Sequence, residues 1–263
     1  MSKVAIITTH YRNTDRFKNC VNKVLNKTKN VEFNWYIWAN DPDDRVKEVL
    51  NSFKDSRIKI YYHVDNSGSF SYNNNQCIRK SNEEYVLLLN DDVEPINDSW
   101  LENMVKLLDN DNDIGIVGAC LIYPNGLIQH AGVIFDEITK GLPYHIYYKQ
   151  KQNKNIVYNR FYQAVTGACM LFKRKDWEAV NGLDERFWYN FEDISFCLDI
   201  AKLNKKIIYC GGAKLIHHEG ISGGKQTQDV IQKNVAIFKE KHKNIINDHH
   251  NYLNSSGYNL YRR

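Results

Sequence analysis

Two adjacent carboxylates, Asp91-Asp92, stand directly behind the apolar run Tyr85-Val86-Leu87-Leu88-Leu89 and a single Asn90. A short, continuously apolar run reads as a strand buried on both faces. The acids would then sit at its carboxyl end, where open α/β sheets collect their ligands. Neighbouring carboxylates repel each other and lose solvation there unless a cation neutralises them. Their hard oxygens favour Mg²⁺ or Mn²⁺, ions that are commonly shared with phosphate oxygens. The structural alternative is a polar turn in which one Asp caps the next helix.

The elements around the pair alternate. Residues 4–8, 33–39, 58–62 and 85–89 read as strands, and the spacing of Phe17, Val21, Val24 and Leu25 predicts a helix over 15–28. A second helix should begin at Pro42 and present Val46, Val49, Leu50 and Phe53 on one face, and a third should cover 70–80. Ser99-Trp100-Leu101-Glu102 has the pattern of a capping box and should open a helix running to about residue 110. Strands are expected at 114–120, 132–135, 168–172, 207–210 and 214–218, with helices at 176–180 and 193–203. The aperiodic stretch 140–159 reads as a loop over the site. This alternation implies one α/β domain with a doubly wound, mostly parallel sheet. Val230, Ile231, Val235 and Phe238 mark a helix in a tail that begins near residue 225. Docking on the domain, dimerisation and fraying are all open to that tail.

Leu87-Leu88-Leu89-Asn90-Asp91-Asp92-Val93-Glu94 resembles the metal-binding motif of family 2 glycosyltransferases, inverting enzymes of GT-A fold with a single Rossmann-like sheet. Other segments follow in the same order as in that family. They are Asn66-Ser67-Gly68, Ser71-Tyr72-Asn73-Asn74-Asn75, Asn125-Gly126-Leu127-Ile128-Gln129-His130-Ala131-Gly132 and Ala164-Val165-Thr166-Gly167-Ala168-Cys169. Gly182-Leu183-Asp184-Glu185, Glu192-Asp193-Ile194-Ser195-Phe196-Cys197 and His217-His218-Glu219-Gly220 come after them. The resemblance covers roughly residues 3 to 224 and is nearest to bacterial enzymes that build O-antigen, capsule or protein-linked glycans. It implies a nucleotide-sugar donor, a divalent cation and a glycan, lipid-linked or protein acceptor. One departure is the reading Asn90-Asp91-Asp92 where the family has Asp-x-Asp, which moves direct metal ligation onto Asp92 and leaves Asp91 to ribose or metal.

The same resemblance implies the catalytic base, and position at the strand ends suggests the remaining roles. The catalytic base is expected in Glu192-Asp193, with Asp193 favoured, and the apolar Tyr189-Asn190-Phe191 before it could raise a carboxylate's pKa. Capping of the following helix is the structural use of the same acids. Thr8, Thr9, His10 and Tyr11 end the first strand, where a nucleoside would lie, and Asn40 and Asp41 end the second. Asn74 and Asn75 are further candidates for the donor. His217 or His218, with a slight preference for His217, could complete the metal's coordination, and the glycines at 220–224 could close over bound donor. His130 is a weaker candidate, and Trp188 and Tyr189 could stack on acceptor sugars or pack in the core.

Composition narrows the alternatives. A formal charge of +4 with no stripe of Lys and Arg excludes a nucleic-acid reading, while leaving peripheral contact with a membrane open. Six cysteines without paired spacing imply buried, reduced thiols and a cytoplasmic protein. A sugar-nucleotide nucleotidyltransferase would share fold and metal, but Thr8-Thr9-His10-Tyr11-Arg12-Asn13 lacks the glycines of a triphosphate loop. A non-catalytic sugar-binding module should have lost one of the acids, and both are present.

Overall fold

Side chains alternate between two buried faces along the first strand, β1 (Val4–His10): Val4 and Ile6 pack into one apolar cluster, Ala5 and Ile7 into another. Two cores on two faces require cover on both sides, and the amphipathic segments supply it. The computed structural model describes residues 3–12, 14–64, 68–135, 141–219 and 227–246. Helix α1 (Thr14–Lys27) buries Phe17, Cys20, Val21 and Val24, and β2 (Phe33–Asn40) lies parallel to β1. Helix α2 (Asp44–Ser52) starts two residues after Pro42, because the Asp43 carboxylate accepts the Val46 N–H at 2.8 Å. It is followed by β3 (Ile58–His63), α3 (Phe70–Ile78) capped by Ser69, and β4 (Tyr85–Leu89), which is buried throughout.

The second half continues with β5 (Val93–Pro95), α4 (Trp100–Asn110), β6 (Ile114–Ile122), β7 (Ile128–His130), β8 (Val133–Phe135) and β9 (Pro143–His145). Then come β10 (Arg160–Tyr162), β11 (Cys169–Lys173), α5 (Arg174–Ala179), α6 (Glu192–Ala201), β12 (Lys206–His217) and α7 (Gln228–Ile246). The main sheet runs β10-β12-β6-β11-β4-β1-β2-β3. Strands β4, β1, β2 and β3 are parallel, as are β6 and β12, while β11 is antiparallel between the two blocks. The carboxyl ends of β1, β2 and β4 therefore open on one edge and bring Asp91 and Asp92 beside the first strand.

Three sequence expectations change. The two strands expected at 207–210 and 214–218 are one strand, β12, whose register slips between Cys210 and Lys214. A bulge at Gly211-Gly212 keeps it continuous. Stretch 140–159 is not plain loop, since it holds β9, paired with β8, and a 3-10 turn at Lys154–Val157. The capping box at Ser99 does not form: Ser99 makes no cap bond, and Glu102 is held by Lys106 at 2.7 Å and Asn30 at 3.0 Å.

Of the fates open to the tail, its helix α7 docks on the domain. Phe238 is fully buried against Phe135 and Phe191, and Lys241 bridges Asp184 and Asp199 at 2.9 and 2.6 Å. Asn234 donates to the carbonyls of Tyr189 and Asn190. These carbonyls belong to a segment in which Asn190 and Phe191 both take a left-handed φ of 72°. For a bulky Phe that conformation costs on the order of 1–3 kcal/mol, so α7 holds in place the strained turn that leads into α6. All six cysteines are free and buried.

Candidate active site

The open edge of the sheet bounds a cleft of about 870 Å³. Thr9, His10 and Tyr11 reach it from β1, Asn40 from β2, and Asn90, Asp91 and Asp92 from the end of β4. Gly167, Glu192 and Asp193 line it from the loops around β11 and α6, and His217 from the end of β12. One phenol reports how these groups gather. The Tyr189 hydroxyl is pushed up to about 12, by burial first and then by the charges of Glu192, Asp193, Asp92 and Glu219.

The adjacent acids are held by different imidazoles. Asp91 Oδ2 lies 2.7 Å from His10 Nδ1, and the buried His10 ring stacks on Phe17. Burial pushes the Asp91 carboxyl above its ordinary value, against the bond and charge of His10 and the Tyr11 N–H. Asp92 Oδ1 lies 3.1 Å from His217 Nε2. Burial works to raise Asp92, but the bond and charge of His217, with the charges of His218 and Arg16, hold it below its ordinary value.

A second layer fixes the His217 tautomer. Gln129 Nε2 donates to Glu219 Oε2 at 2.9 Å, so Gln129 Oε1 faces His217 Nδ1, 2.6 Å away. Nδ1 then carries a proton, and Nε2 faces the Asp92 carboxylate, which it can hold through a second proton or through a shared cation. Two lone pairs 3.1 Å apart repel unless a proton or a cation lies between them. An imidazole whose other nitrogen donates to a fixed acceptor is also the usual arrangement of a metal-bound histidine. The donor set thus fits Mn²⁺ or Mg²⁺ with Asp92 and His217 as its ligands. Among the described residues no group of three or more His, Cys, Asp or Glu could hold a metal ion. The fit is therefore to an ion that takes its remaining ligands from phosphate and water. His218 does not belong to this set. Its Nε2 pairs with Glu94 at 3.1 Å, because consecutive residues of a strand end point to opposite faces.

Around the rest of the cleft, Thr9, His10, Tyr11 and Asn40 line the wall, whereas Thr8, Asp41 and Asn75, also expected at the donor, do not line it. Thr8 is fully buried; its hydroxyl donates to the Leu89 carbonyl at 2.8 Å and accepts from Trp35 Nε1 at 2.9 Å. Asp41 pairs with Arg12 at 2.9 Å at the surface. Asn75 is a latch: its amide donates to the Leu183 carbonyl and Glu185, and its oxygen accepts from Trp177 Nε1 and the Leu183 N–H. Gly182, at φ 82°, turns the chain closely past that oxygen. Asn75→Ala would leave two buried N–H groups without an acceptor, a cost of about 2–4 kcal/mol. A fall in Tm of about 5–10 °C by scanning calorimetry is the expected result. Asn74 bonds to the Phe70 carbonyl of its own helix. The asparagine that does reach the cleft is Asn73, which sequence reasoning missed; its amide donates to the Gly68 carbonyl and its buried Oδ1 has no partner among the described residues. The run of three asparagines was the signal, without saying which one faces inward.

At the start of α6, the Asp193 carboxylate accepts the Gly167 N–H at 2.8 Å on Oδ2 and the Ile194 N–H at 2.8 Å on Oδ1. A Cβ on Gly167 would meet Asp193 Cβ at 3.0 Å, so the approach depends on glycine. The apolar surroundings expected to raise a carboxyl act on Glu192. Burial, and then the charge of Asp193, push Glu192 well above its ordinary value, and its buried Oε2 has no partner among the described residues. Folding thus favours protonated Glu192, and this contribution is lost as pH rises above the unfolded value of roughly 4.3 towards the folded one. Glu192→Gln should accordingly raise Tm more at pH 8 than at pH 5, and an equal shift at both would contradict the assignment. His130 is buried, bonded to the Ala119 carbonyl and the Thr166 N–H, and pushed down to about 3 by burial, so it serves the fold. Segment 220–224, expected to close over the site, lies outside the described residues.

The model of Glycosyl transferase family 2 matches residues 5–180. The chain is 26% identical over 227 residues to the O-antigen biosynthesis protein RfbC of Myxococcus xanthus, covering 84% of this chain and 18% of that protein. A protein of Sinorhizobium fredii, y4gI, is 35% identical over 192 residues, covering 71% of the chain. There too the chain spans only 20% of the relative's length. Among solved structures, GalNAc-T7 with UDP, GalNAc and Mn²⁺ superposes with a TM-score of 0.74 at 11% identity, over 92% of this chain and 48% of that one. The mannosyltransferase PcManGT of Pyrobaculum calidifontis, in complex with GDP-Man and Mn²⁺, gives 0.63 at 14% identity, over 94% and 64%.

Proposed function

The chain belongs to glycosyl transferase family 2, and from that premise we propose that it transfers a sugar with inversion from a nucleotide-diphosphate donor to an acceptor hydroxyl. The fold is of the GT-A type. The observation that carries the reading is that Asp92, His217, Glu192 and Asp193 line one cleft at the open edge of the sheet. Thr9, His10, Tyr11, Asn40 and Asn73 line the side that would take the nucleoside, and Asp91, held by His10, faces the ribose. Asp92 and His217 would hold Mn²⁺ or Mg²⁺, which when bound offsets the charge of the leaving diphosphate. Asp193, oriented by the Gly167 and Ile194 N–H groups, takes the proton of the attacking hydroxyl. A single displacement then inverts the anomeric centre.

Our reading of the donor is a UDP-sugar rather than a dTDP-sugar, supported by the UDP bound in GalNAc-T7. The acceptor is a glycan, lipid-linked or protein hydroxyl, in line with the O-antigen relative. The buried thiols support a cytoplasmic site of action. Among the described residues no helix is long and apolar enough to cross a membrane. The test is incubation with Mn²⁺ and a panel of nucleotide sugars. Release of nucleoside diphosphate is the expected result; no release from any nucleotide sugar, with pyrophosphate released from a nucleoside triphosphate and a sugar 1-phosphate, would instead make the chain a nucleotidyltransferase.

A further inference from the structure

Helix α7 carries Val230, Asn234 and Phe238 at i, i+4 spacing on one face, with Lys241 and His242 continuing the stripe. That stripe faces the domain. Val230, with Thr227 just before the helix, lines the main cleft. Phe238 packs on Phe135 and Phe191, and His242 Nε2 meets Ser195 Oγ of α6 at 2.9 Å. Between cleft and core sits Asn234, only 1% exposed, where the spacing calls for an apolar residue. Asparagine is a poor residue for a helix interior, and a buried amide has to be hydrogen-bonded. Its partners lie outside the helix. Nδ2 donates to the Tyr189 carbonyl at 2.5 Å and lies 3.4 Å from the Asn190 carbonyl.

Those carbonyls lead directly into α6. Asn190 and Phe191 both take left-handed φ, and Phe191, the N-cap residue of α6, gives the helix no side-chain bond. Residues other than glycine keep such a conformation only where their surroundings over-determine it. Among the bonds that pin this segment are the Phe70 N–H on the Trp188 carbonyl at 3.3 Å and the two contacts of Asn234. Two residues past the turn stands Asp193, whose carboxylate accepts the Gly167 N–H at 2.8 Å. The approach is close enough that a Cβ on Gly167 would come within 3.0 Å of Asp193 Cβ. Misplacing a reacting group by about an ångström costs on the order of 10²-fold in rate.

We propose that Asn234 is a positioning residue for the transfer: by holding the Tyr189 and Asn190 carbonyls it fixes the turn into α6 and, through that turn, the place of the Asp193 carboxylate. The proposal rests on the glycosyl-transfer reading. It adds to the machinery of that reading a helix that lies beyond residues 5–180, the part matched by the family model.

The experiment follows the full chain by two independent measurements, steady-state transfer and hydrogen exchange of the Gly167 amide. Asn234→Leu keeps a side chain of similar size and favours the helix, but it cannot donate. Asn234→Asp, of the same shape and also without the N–H, is the second variant. In both, kcat should fall at least about ten-fold, with the donor KM within about two-fold of the parent. The Gly167 N–H, which Asp193 protects, should exchange at least about ten-fold faster. Lys241→Met removes the bridges to Asp184 and Asp199 about two turns further along α7. It should lower Tm while leaving kcat and Gly167 exchange as in the parent. Added to Asp193→Asn, Asn234→Leu should cost no more than about two-fold further, because it acts through that carboxylate. Full turnover or unchanged Gly167 exchange in a folded Asn234 variant overturns the proposal. So do equal losses in Lys241→Met, or additive losses in the double variant. If the parent releases no nucleoside diphosphate from any donor while Gly167 still exchanges faster in Asn234→Leu, the glycosyl-transfer reading fails and the positioning of Asp193 by Asn234 stands.

Discussion

Asp193→Asn is expected to lower sugar transfer by about 10²–10⁴-fold, the usual worth of a positioned general base, while donor affinity changes less than about two-fold. The asparagine is nearly isosteric, and its Oδ1 can still accept the Gly167 N–H that the aspartate accepts at 2.8 Å. The Ile194 N–H loses its acceptor, but the bond to Gly167 keeps the side chain near its place while the ability to take a proton is lost. Measuring kcat for transfer beside donor binding by calorimetry separates the two effects. Glu192→Asn or Glu192→Gln is the instructive companion. Glu192 is buried, its Oε2 has no partner among the described residues, and burial and the charge of Asp193 push its carboxyl well above its ordinary value, which favours the protonated form. A carboxyl that holds its proton in the resting cleft is a poor acceptor for another. Transfer surviving in Asp193→Asn and vanishing in Glu192→Gln would exchange the two roles.

The sequence made one half of this arrangement legible and hid the other. Strands β1 and β4 were readable because both of their faces are buried, which leaves an unbroken apolar run. Asp91 and Asp92 were readable because they end such a run. Their partners were not, for physical reasons. Whether Thr8 offers its hydroxyl to a ligand depends on Trp35, one strand away, whose indole N–H takes up that oxygen. Which of Asn73, Asn74 and Asn75 faces the cleft depends on the rotation of α3, fixed by the Ser69 cap and by the fit of Asn75 against Gly182 and Trp177. His145 and Tyr148 lie in a stretch with no periodicity, where left-handed backbone rather than pattern sets side-chain direction. The docking of α7 is written in the spacing of Val235 and Phe238 only as a helix, and its partner Phe191 is invisible until the turn before α6 is built. Asp193 and His217 were placed by resemblance to a family. Nothing local to His217 distinguishes it from His218, and the choice between them follows from the pleat at the end of β12.

The pleat sets up the second large effect, the response to metal. His217 faces Asp92 and Gln129, whereas His218 faces Glu94. His217→Ala should therefore raise the Mn²⁺ concentration needed for half-maximal binding by at least about ten-fold, and His218→Ala should leave it nearly unchanged. Gln129→Ala removes only the acceptor that holds the His217 tautomer, and the expected loss of affinity is about 10–100-fold, as for other outer partners of metal ligands. Paramagnetic resonance of free Mn²⁺ in the presence of UDP reads all three without any turnover. The neighbouring acids should divide in the same way. Asp92→Asn removes a charge that faces His217, while Asp91→Asn removes one already held by His10 at 2.7 Å, so the first should weaken Mn²⁺ far more than the second. A chelator should abolish transfer in the parent protein and excess Mn²⁺ should restore it. If transfer continued in the chelator, Asp92 and His217 would be an ion pair of the fold, with a proton where the cation has been placed.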